Sequence, residues 1–371
     1  METTKHSKIF SWIGEICSGK GTVKLQQRLR RLRLERPELS IFEILDLLKP
    51  SVSADQGQKC VEQLDQLNIR HVTIFDEDYP QLLAECSDPP IALFYSGNLK
   101  TLHRPCVSII GARACTTYGI QTTRLIAGEL ARFGFTVVSG LALGIDAIAH
   151  EAALQVNGAT ASVLGSGIKV IYPKQHIQLA RDIVRHKGIV LTEFPPQEPP
   201  KPYHFPMRNR IISALSHATI VIEAEKKSGT LITAQFCLEQ GRELFAVPGP
   251  LNRPTSEGTH SLISKGEAHI FTSVADFLSH FKNLINGAIS LEKQLKIEIN
   301  DPIMRKIYDS LDPFESTCFD SLLAEMGQSL EISPGQLGAK LTQMETKGLI
   351  TALPGQTYLR TSLLNPGEKP E

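Results

Sequence analysis

Basic and amide side chains are concentrated in one short stretch of the chain. Arg208, Asn209 and Arg210 follow one another directly. Lys201 and Phe205 lie just upstream, beside a proline-rich segment. Cationic groups bind phosphates and an aromatic ring stacks on a base, so this mixture is typical of a site for single-stranded nucleic acid. It does not favour catalysis, because none of these side chains readily attacks a substrate or exchanges a proton near neutral pH.

The surrounding chain alternates between apolar strands and amphipathic helices. Strands are predicted at 107–110, 136–138, 160–164, 189–192, 219–223 and 244–247. Helices are predicted at 117–133, 145–156, 175–186, 209–216 and 230–240. This alternation is typical of an α/β fold in which helices cover both faces of a parallel sheet. Ligands of such sheets bind beyond the carboxyl ends of the strands.

Several predicted strands end in small residues, which let backbone N–H groups approach an anion. Tight turns need glycine for geometry alone, but several such turns around one crevice favour phosphate binding. The candidate residues at these turns are Gly111, Ser139, Gly140, Gly165, Ser166, Gly167, Ser228, Gly229 and Thr230. Arg113 follows the first of the strands and Lys174 begins a helix in the same region. A salt bridge is the alternative for Arg113, and plain solvent exposure is the alternative for Lys174.

Catalytic, dinucleotide and metal sites are less favoured. Asp146 and His150 share one helical face, but a carboxylate in a first helical turn also complements the helix terminus, and the sequence places no nucleophile beside them. The chain has neither a GxGxxG nor a GxxxxGK[ST] string. Its eleven histidines show no HxxxH spacing. We therefore expect no cofactor and no metal.

The composition is that of a globular protein with more than one domain. The chain has 371 residues, of which 42% are hydrophobic, and no formal net charge. Nucleic-acid binding must therefore depend on local clusters. Seven cysteines form no CxxC pair and follow no signal peptide, which favours a reducing cytoplasm. No apolar run approaches the roughly 20 residues that span a bilayer.

Five segments are predicted along the chain. They are a helical cap at 1–70, the α/β domain at 71–281, a linker at 282–300, a winged helix at 301–361 and a tail at 362–371. Helices at 303–311, 315–326 and 333–347, with a hairpin at 349–353 and 357–360, predict the winged helix. In the helical cap, Arg28, Arg30, Arg31 and Arg33 surround a leucine stripe. A solvated helix face is the favoured interpretation of these arginines, and phosphate contact is the alternative.

A series of short strings, in order along residues 72–280, resembles the DNA-processing protein A family, also called DprA or Smf. The strings are DEDYP at 76–80, GAR at 111–113, TTYG at 116–119, SGLA at 139–142, GID at 144–146, YP at 172–173, FPMRNRII at 205–212, SGTLITA at 228–234 and VPG at 247–249. The resemblance implies an extended Rossmann-like domain, with a mixed but mostly parallel sheet, that binds single-stranded DNA and hydrolyses nothing. It also implies a homodimer that helps to load the RecA recombinase during natural transformation.

The resemblance further implies which residues form the DNA pocket. Its basic and aromatic members are Arg113, Lys174, Lys201, Phe205, Arg208 and Arg210, with the glycine turns as backbone donors. Asn209 is expected to fix the loop by side-chain hydrogen bonds. Leu143 stands where the family often has arginine, which removes one phosphate contact. His260 replaces an asparagine that is usual in the family.

Two other functions stay open from the sequence. One is a nucleoside-monophosphate phosphoribohydrolase of a related Rossmann group, whose PGGxGTxxE string ends in a catalytic glutamate. Residues 227–233 read KSGTLIT, with no glutamate in the corresponding place. The other is a duplex-binding regulator built on the winged helix. Its predicted recognition helix has Lys340 and Lys347 against Glu345, a weak footprint for duplex DNA, which favours protein contact or regulation.

Overall fold

The described part of the chain divides into two compact units. The computed structural model describes residues 2–18, 22–281, 299, 301–311, 316–330, 332–347, 349–353 and 355–360. The first unit contains the residues up to 128 together with 136–270, and the second contains 129–135 and the described residues from 271 onward. The boundary predicted at residue 70 falls inside the first unit. The predicted linker and tail lie outside the described residues, except for Ile299.

Four helices begin the first unit. They are α1 (Glu2–Cys17), α2 (Thr22–Glu35), α3 (Ile41–Leu48) and α4 (Ala54–Gln66), and a short helix α5 (Gln81–Ala84) follows them. Ser40 and Ser53 begin α3 and α4, and each forms a capping box with the side chain three residues later. Apolar residues such as Ile13 and Leu29 belong to the same buried core as strands of the sheet described next.

A nine-stranded sheet forms the centre of the first unit. Its strands are β1 (Arg70–Thr73), β2 (Ala92–Gly97), β3 (Cys106–Ile110), β4 (Thr136–Ser139), β5 (Thr160–Val163), β6 (Ile189–Thr192), β7 (Ala218–Val221), β8 (Glu243–Ala246) and β9 (His269–Ile270). Their order in the sheet is β1-β2-β6-β5-β4-β3-β7-β8-β9. The strands β3 to β9 pair in parallel, whereas β1 and β2 run antiparallel at one edge. The predicted mixed but mostly parallel sheet is therefore confirmed.

The strand order places a crevice next to β3. From β3 the chain builds outward through β4, β5 and β6, and it then returns to start β7 on the other side of β3. Loops from the two halves diverge at this reversal, which is where open α/β sheets bind ligands. The strands β3, β4, β5, β6 and β7 are buried along their whole length, as expected for a sheet that is covered on both faces.

Six further helices alternate with these strands. They are α6 (Thr117–Arg132), α7 (Ile145–Gln155), α8 (Ile177–Arg185), α9 (His204–Ala214), α10 (Thr230–Glu239) and α11 (Pro254–Ser264). The prediction was wrong for the start of α9, which begins at His204 and not at residue 209. Pro206 lies in the first turn of α9, where the missing N–H costs no helical hydrogen bond. Phe205 and Arg208 therefore project from a helix and not from a loop.

The described residues of the second unit form four helices and a small sheet. They are α12 (Val274–His280), α13 (Pro302–Ser310), β10 (Thr317–Cys318), α14 (Phe319–Leu330), α15 (Pro334–Thr346), β11 (Ile350–Leu353) and β12 (Thr357–Arg360). The three strands pair antiparallel in the order β10-β12-β11. Apolar residues including Ile307, Leu322 and Leu337 form the core between α13, α14 and α15. The predicted helices and hairpin are present here, and assignment to the winged-helix class stays a prediction.

Membrane insertion finds no support in these helices. None that the structure describes is long and apolar enough to cross a bilayer.

Candidate nucleic-acid interface

A cavity of about 690 Å³ lies at the carboxyl ends of the central strands. The loop after β3 contributes Gly111 and Arg113, and the loop after β4 contributes Ala142 and Asp146. The remaining walls come from the loop after β7 and from α9, through Glu225, Ser228, Gly229, Thr230, Phe205, Arg208 and Asn209. The cavity therefore occupies the position at which the strand order reverses.

The rim of the cavity combines aromatic rings with a cation. The guanidinium of Arg113 lies 5.8 Å from the centre of the Phe205 ring. The ring of Tyr172, just outside the cavity lining, lies 5.6 Å from that of Phe205 and is 47% exposed. A guanidinium over one ring with a second ring nearby is a combination that can hold the phosphate and the base of a single strand.

Gly165 makes room for this arrangement. A Cβ atom at residue 165 would lie 2.9 Å from Cδ1 of Phe205, closer than side chains pack. The absence of a side chain at the end of β5 thus lets the Phe205 ring lie against the backbone. Gly165 was also predicted as an anion donor, and that role stays a prediction.

Arg208 supplies a buried positive charge in the wall of the cavity. The residue is only 4% exposed, and its Nη1 donates to the carbonyl of Gly140 at 2.5 Å and to the carbonyl of Val163. Its Nε donates to Oδ1 of Asn209 at 3.2 Å, so Asn209 orients this arginine as well as lining the cavity. Burial lowers the pKa of Arg208 to about 10, with Asp146 opposing the shift and Arg113 adding to it. The guanidinium is thus charged at neutral pH.

Gly140 is required by the position of Arg208. A Cβ atom on residue 140 would lie 2.5 Å from Cζ of Arg208. The next residue, Leu141, has φ +57°, a left-handed backbone that leucine rarely adopts. The loop after β4 is therefore held in an unusual shape that lets the guanidinium reach two main-chain carbonyls.

The backbone donors of this loop are used by Asp146. Its Oδ2 accepts from the N–H of Gly140 at 3.1 Å and from that of Ala142 at 3.4 Å. Burial raises the pKa of Asp146, and Arg208 is the first of the groups that oppose the rise. The prediction that Ser139 and Gly140 serve an anionic ligand is therefore wrong: the loop already binds its own carboxylate. Ser139 is fully buried, and its hydroxyl donates to the carbonyl of Ile109 at 2.7 Å.

The turn after β5 is also occupied by internal bonds. The hydroxyl of Ser166 donates to the carbonyl of Val170 at 2.5 Å, and Ser166 is 1% exposed. The N–H of Gly167 donates to the carbonyl of Glu198 at 2.8 Å. Neither residue lines the cavity, so the predicted role of this turn as an anion cradle is not supported by its geometry.

The loop after β7 brings the start of α10 to the cavity. The hydroxyl of Ser228 accepts from the N–H of Thr230 at 3.1 Å. The hydroxyl of Thr230 donates to the carbonyl of Gly111 at 3.1 Å and so joins this loop to the one after β3. Gly229 is exposed between them. The four residues were predicted as site residues, and the structure brings them together around the positive end of a helix dipole.

Arg210 was predicted to contact DNA, and its position contradicts this. Its side chain is 5% exposed, and it pairs with Glu193 at 2.5 Å and with Asp88 at 3.5 Å. Burial raises the pKa of Glu193 to about 7, against the opposing effect of Arg210. Because Arg210 projects from the other side of α9 into these carboxylates, it stabilises the fold and does not face the cavity.

The two predicted lysines lie outside the cavity lining. Lys201 is partly exposed, and its Nζ pairs with Oε1 of Glu198 at 2.5 Å. Lys174 is exposed in the short 3-10 segment Lys174–His176, which directly follows Tyr172 and Pro173. Both stay candidates for contacts of a longer ligand and are not members of the cavity wall.

Sequence reasoning missed Tyr172 as a site residue. Its string, YP at 172–173, was noted, but the ring was not assigned a role because its partner Phe205 is 33 positions away. An aromatic residue in the loop after a predicted parallel strand was the available signal. Among the described residues, no group of three or more His, Cys, Asp or Glu side chains is placed to hold a metal ion.

Comparison with known proteins gives consistent similarities. The family model for DNA recombination-mediator protein A matches residues 70–282. Protein Smf of Escherichia coli (strain K12) is 39% identical over 304 residues, which cover 79% of this chain and 78% of that protein. DNA processing protein DprA of Streptococcus pneumoniae (strain ATCC BAA-255 / R6) is 43% identical over 210 residues, which cover 57% of this chain and 73% of that protein.

Two solved structures are similar in fold. The X-ray structure of DNA processing protein A from Streptococcus pneumoniae has a TM-score of 0.58 and 34% identity, and the match covers 73% of this chain and 97% of that one. DNA processing protein A from Helicobacter pylori has a TM-score of 0.52 and 33% identity, with 58% of this chain and 96% of that one covered. The latter structure was reported for its single-stranded DNA binding mode.

Proposed function

We propose, from the premise that this chain belongs to the DNA recombination-mediator protein A family, that its cavity binds single-stranded DNA without cleaving it. Its role is that of a DNA-processing recombination mediator. The observation that carries the proposal is the rim made by Arg113, Phe205 and Tyr172 beside the buried Arg208. Rings accept unpaired bases by stacking, whereas bases inside a duplex are already stacked on one another.

The residues that line the cavity favour binding over catalysis. Asp146, the carboxylate nearest Arg208, is 7% exposed and accepts from two backbone amides. The Ser228 hydroxyl lies 3.0 Å from that of Thr230 and has no basic side chain beside it in the hydrogen bonds it forms. A nucleophile needs an adjacent base to be activated. The bonds of Ser228 and Asp146 form no such pair of nucleophile and base in the cavity lining.

The test compares labelled oligo-dT with a duplex of equal length, with binding to the full chain measured by fluorescence anisotropy at several salt concentrations. We expect tighter binding of the single strand and a linear fall of log K with log salt, because phosphates release counterions when cations bind them. Equal or tighter binding of the duplex would contradict the proposal. Release of free adenine from AMP by the same preparation would favour a phosphoribohydrolase instead.

We also infer a homodimer that assists the RecA recombinase in the cytoplasm, on the support of family membership. Light scattering of the purified chain tests the dimer, and a mass equal to one chain argues against it. RecA-dependent strand exchange with and without the protein tests the partner. No acceleration over a range of protein concentrations counts against this inference and leaves strand binding untouched.

A further inference from the structure

The helix α2 carries a dense set of arginines on its exposed side. Between Thr22 and Glu35 the helix has five basic residues and one acidic residue, in a chain whose formal net charge is zero. Leu25 and Leu29 fix the helix by their burial in the core of the first unit. Arg28, Arg30 and Arg31 are exposed, Arg33 is half-buried, and Arg36 follows exposed just after the last turn. Arg30 and Arg33, with Arg36 just past the helix end, follow one another at a spacing of three residues along one side of α2, whereas Arg28 lies on the other side of the buried leucines. We call Arg30, Arg33 and Arg36 the arginine face.

Among the residues that the structure describes, most of this charge has no counter-ion. Arg31 pairs with Glu35 at 2.6 Å, and Arg30 lies 3.8 Å from Glu239 with both side chains about half exposed. Within the described residues, Arg28, Arg33 and Arg36 form no ion pair. Arg30 and Arg33 stand three positions apart, as do Arg33 and Arg36, and like charges at this spacing repel each other on a helix. A bound polyanion would relieve that repulsion.

Arginine is also the residue type that suits this ligand. Its planar guanidinium presents a fork of donors that matches the oxygens of a phosphate, and it is less strongly hydrated than the ammonium of lysine. Four of the five basic residues of α2 are arginines. A helix whose positive charges served only solubility could carry lysine equally well, so solubility does not explain the preference for arginine.

The position of α2 relates it to the cavity. Arg30 faces Glu239, the last residue of α10, whereas Thr230, the first residue of α10, lines the cavity. Ten residues of α-helix span about 15 Å. At 3.4 Å per nucleotide of a stacked strand, about five nucleotides cover this length. A strand seated in the cavity therefore reaches α2 along α10 after a few nucleotides.

We propose that the arginine face of α2 is a second phosphate-binding surface, which holds the single-stranded DNA that extends out of the cavity along α10. The inference rests on the proposed function, since it needs a strand in the cavity. The surface recognises the phosphate backbone and has no part in base stacking. It lengthens the bound strand without changing the chemistry of the cavity.

The experiment compares two oligo-dT probes with the full chain, one of about 3 nucleotides that is too short to extend from the cavity along α10, and one of about 25 that reaches α2. The variant R30A/R33A/R36A should bind the short probe like the wild type and the long probe about tenfold more weakly. Its salt slope for the long probe should be smaller by about 2, since each lost phosphate contact on single-stranded DNA removes about 0.7. In E239Q, where the acid facing Arg30 is gone, the long probe should bind more tightly.

The matched control is R124A/R181A/K265A, which removes three exposed cations from outside α2 and the cavity lining. Equal affinity of wild type and R30A/R33A/R36A for the long probe overturns the inference, as does an equal loss in the control variant. If the wild type binds neither probe, the proposed function itself has failed. Melting temperatures show whether the variants fold, and we expect them to be unchanged because five of the six side chains are exposed and Arg33 is half-buried.

Discussion

Replacement of Phe205 by alanine tests the aromatic rim directly. The ring lies 5.8 Å from the Arg113 guanidinium and 5.6 Å from the Tyr172 ring, and it is half-buried. If a base stacks on this surface, F205A removes one stacking partner and leaves the cations in place. We therefore expect the affinity for oligo-dT to fall while the salt dependence stays the same.

The size of the loss follows from the geometry. Stacking of one base on an aromatic side chain contributes about 1–3 kcal/mol, which corresponds to a Kd that rises by about 5- to 150-fold. The lost cation–π contact with exposed Arg113 adds about 0.5–1 kcal/mol at most. Phe205 also covers Gly165, so F205A lowers stability by roughly 1–2 kcal/mol of apolar burial.

Two control variants separate stacking from packing. F205L keeps apolar volume over Gly165 but has no π face, so it should recover the melting temperature and not the affinity. F205W should recover most of the affinity. Anisotropy titrations at several salt concentrations measure both the Kd and the slope. Binding of F205L at the wild-type level would refute the stacking argument, since bulk alone would then be sufficient.

Four other changes probe the cavity and the buried groups that support the fold. R113A should reduce the salt slope for oligo-dT by about 0.7, because one phosphate contact is lost from a single strand. R210M should lower the free energy of unfolding by about 3–5 kcal/mol in denaturant titration, because Glu193 loses its buried partner, yet leave the salt slope unchanged. G140A should lower the melting temperature and weaken binding together, because its Cβ displaces Arg208, at a cost of about 1–3 kcal/mol. His150 should make the free energy of unfolding pH-dependent, because burial lowers its pKa from 6.5 to about 3. Between these two pH values the unfolded chain binds a proton at His150 and the folded chain does not, so stability falls as the pH drops from 6.5 towards 3. Relative to H150Q, the wild type should lose about 2 kcal/mol between pH 6.5 and 5.

Each of these expectations has a clear opposite. An unchanged salt slope in R113A would show that the Arg113 guanidinium contacts no phosphate. A reduced salt slope in R210M would show that Arg210 contacts DNA. Full binding by G140A means that Arg208 has no part in the cavity. Parallel pH curves for the wild type and H150Q show that His150 titrates alike in both states.

The α/β layout was predictable from the sequence because buried parallel strands are short apolar runs between amphipathic helices. The start of helix α9 was predicted five residues too late, although Pro206 is compatible with a first helical turn. The edge strands β1 and β2 were not predicted, since β1 pairs with β2 and β2 pairs with β6, which lies about 95 positions later in the chain. The local spacing of apolar residues does not reveal which distant strand is the partner.

The site was predictable in its residue types and less so in its geometry. Arg113, Phe205, Arg208 and the turn after β7 were found because basic, aromatic and glycine residues follow strand ends. Arg210 was misassigned because one of its carboxylate partners, Asp88, lies 122 positions earlier in the chain. The N–H donors of the loop after β4 were misassigned because Asp146 accepts their hydrogen bonds. From sequence alone, an internal carboxylate and a ligand phosphate cannot be told apart, since both accept hydrogen bonds from the N–H groups of a glycine turn.

The anchoring of Arg208 by the carbonyls of Gly140 and Val163 has one more consequence. Main-chain oxygens are the same whichever side chains their residues carry, so substitutions in these loops that, unlike one at Gly140, do not collide with the guanidinium leave this cation where it is. Base identity is displayed on ring edges, whereas a fixed cation and an aromatic face engage only the backbone and the flat surface that all four nucleotides share. Poly-dA, poly-dC and strands of foreign origin should accordingly be accepted almost alike.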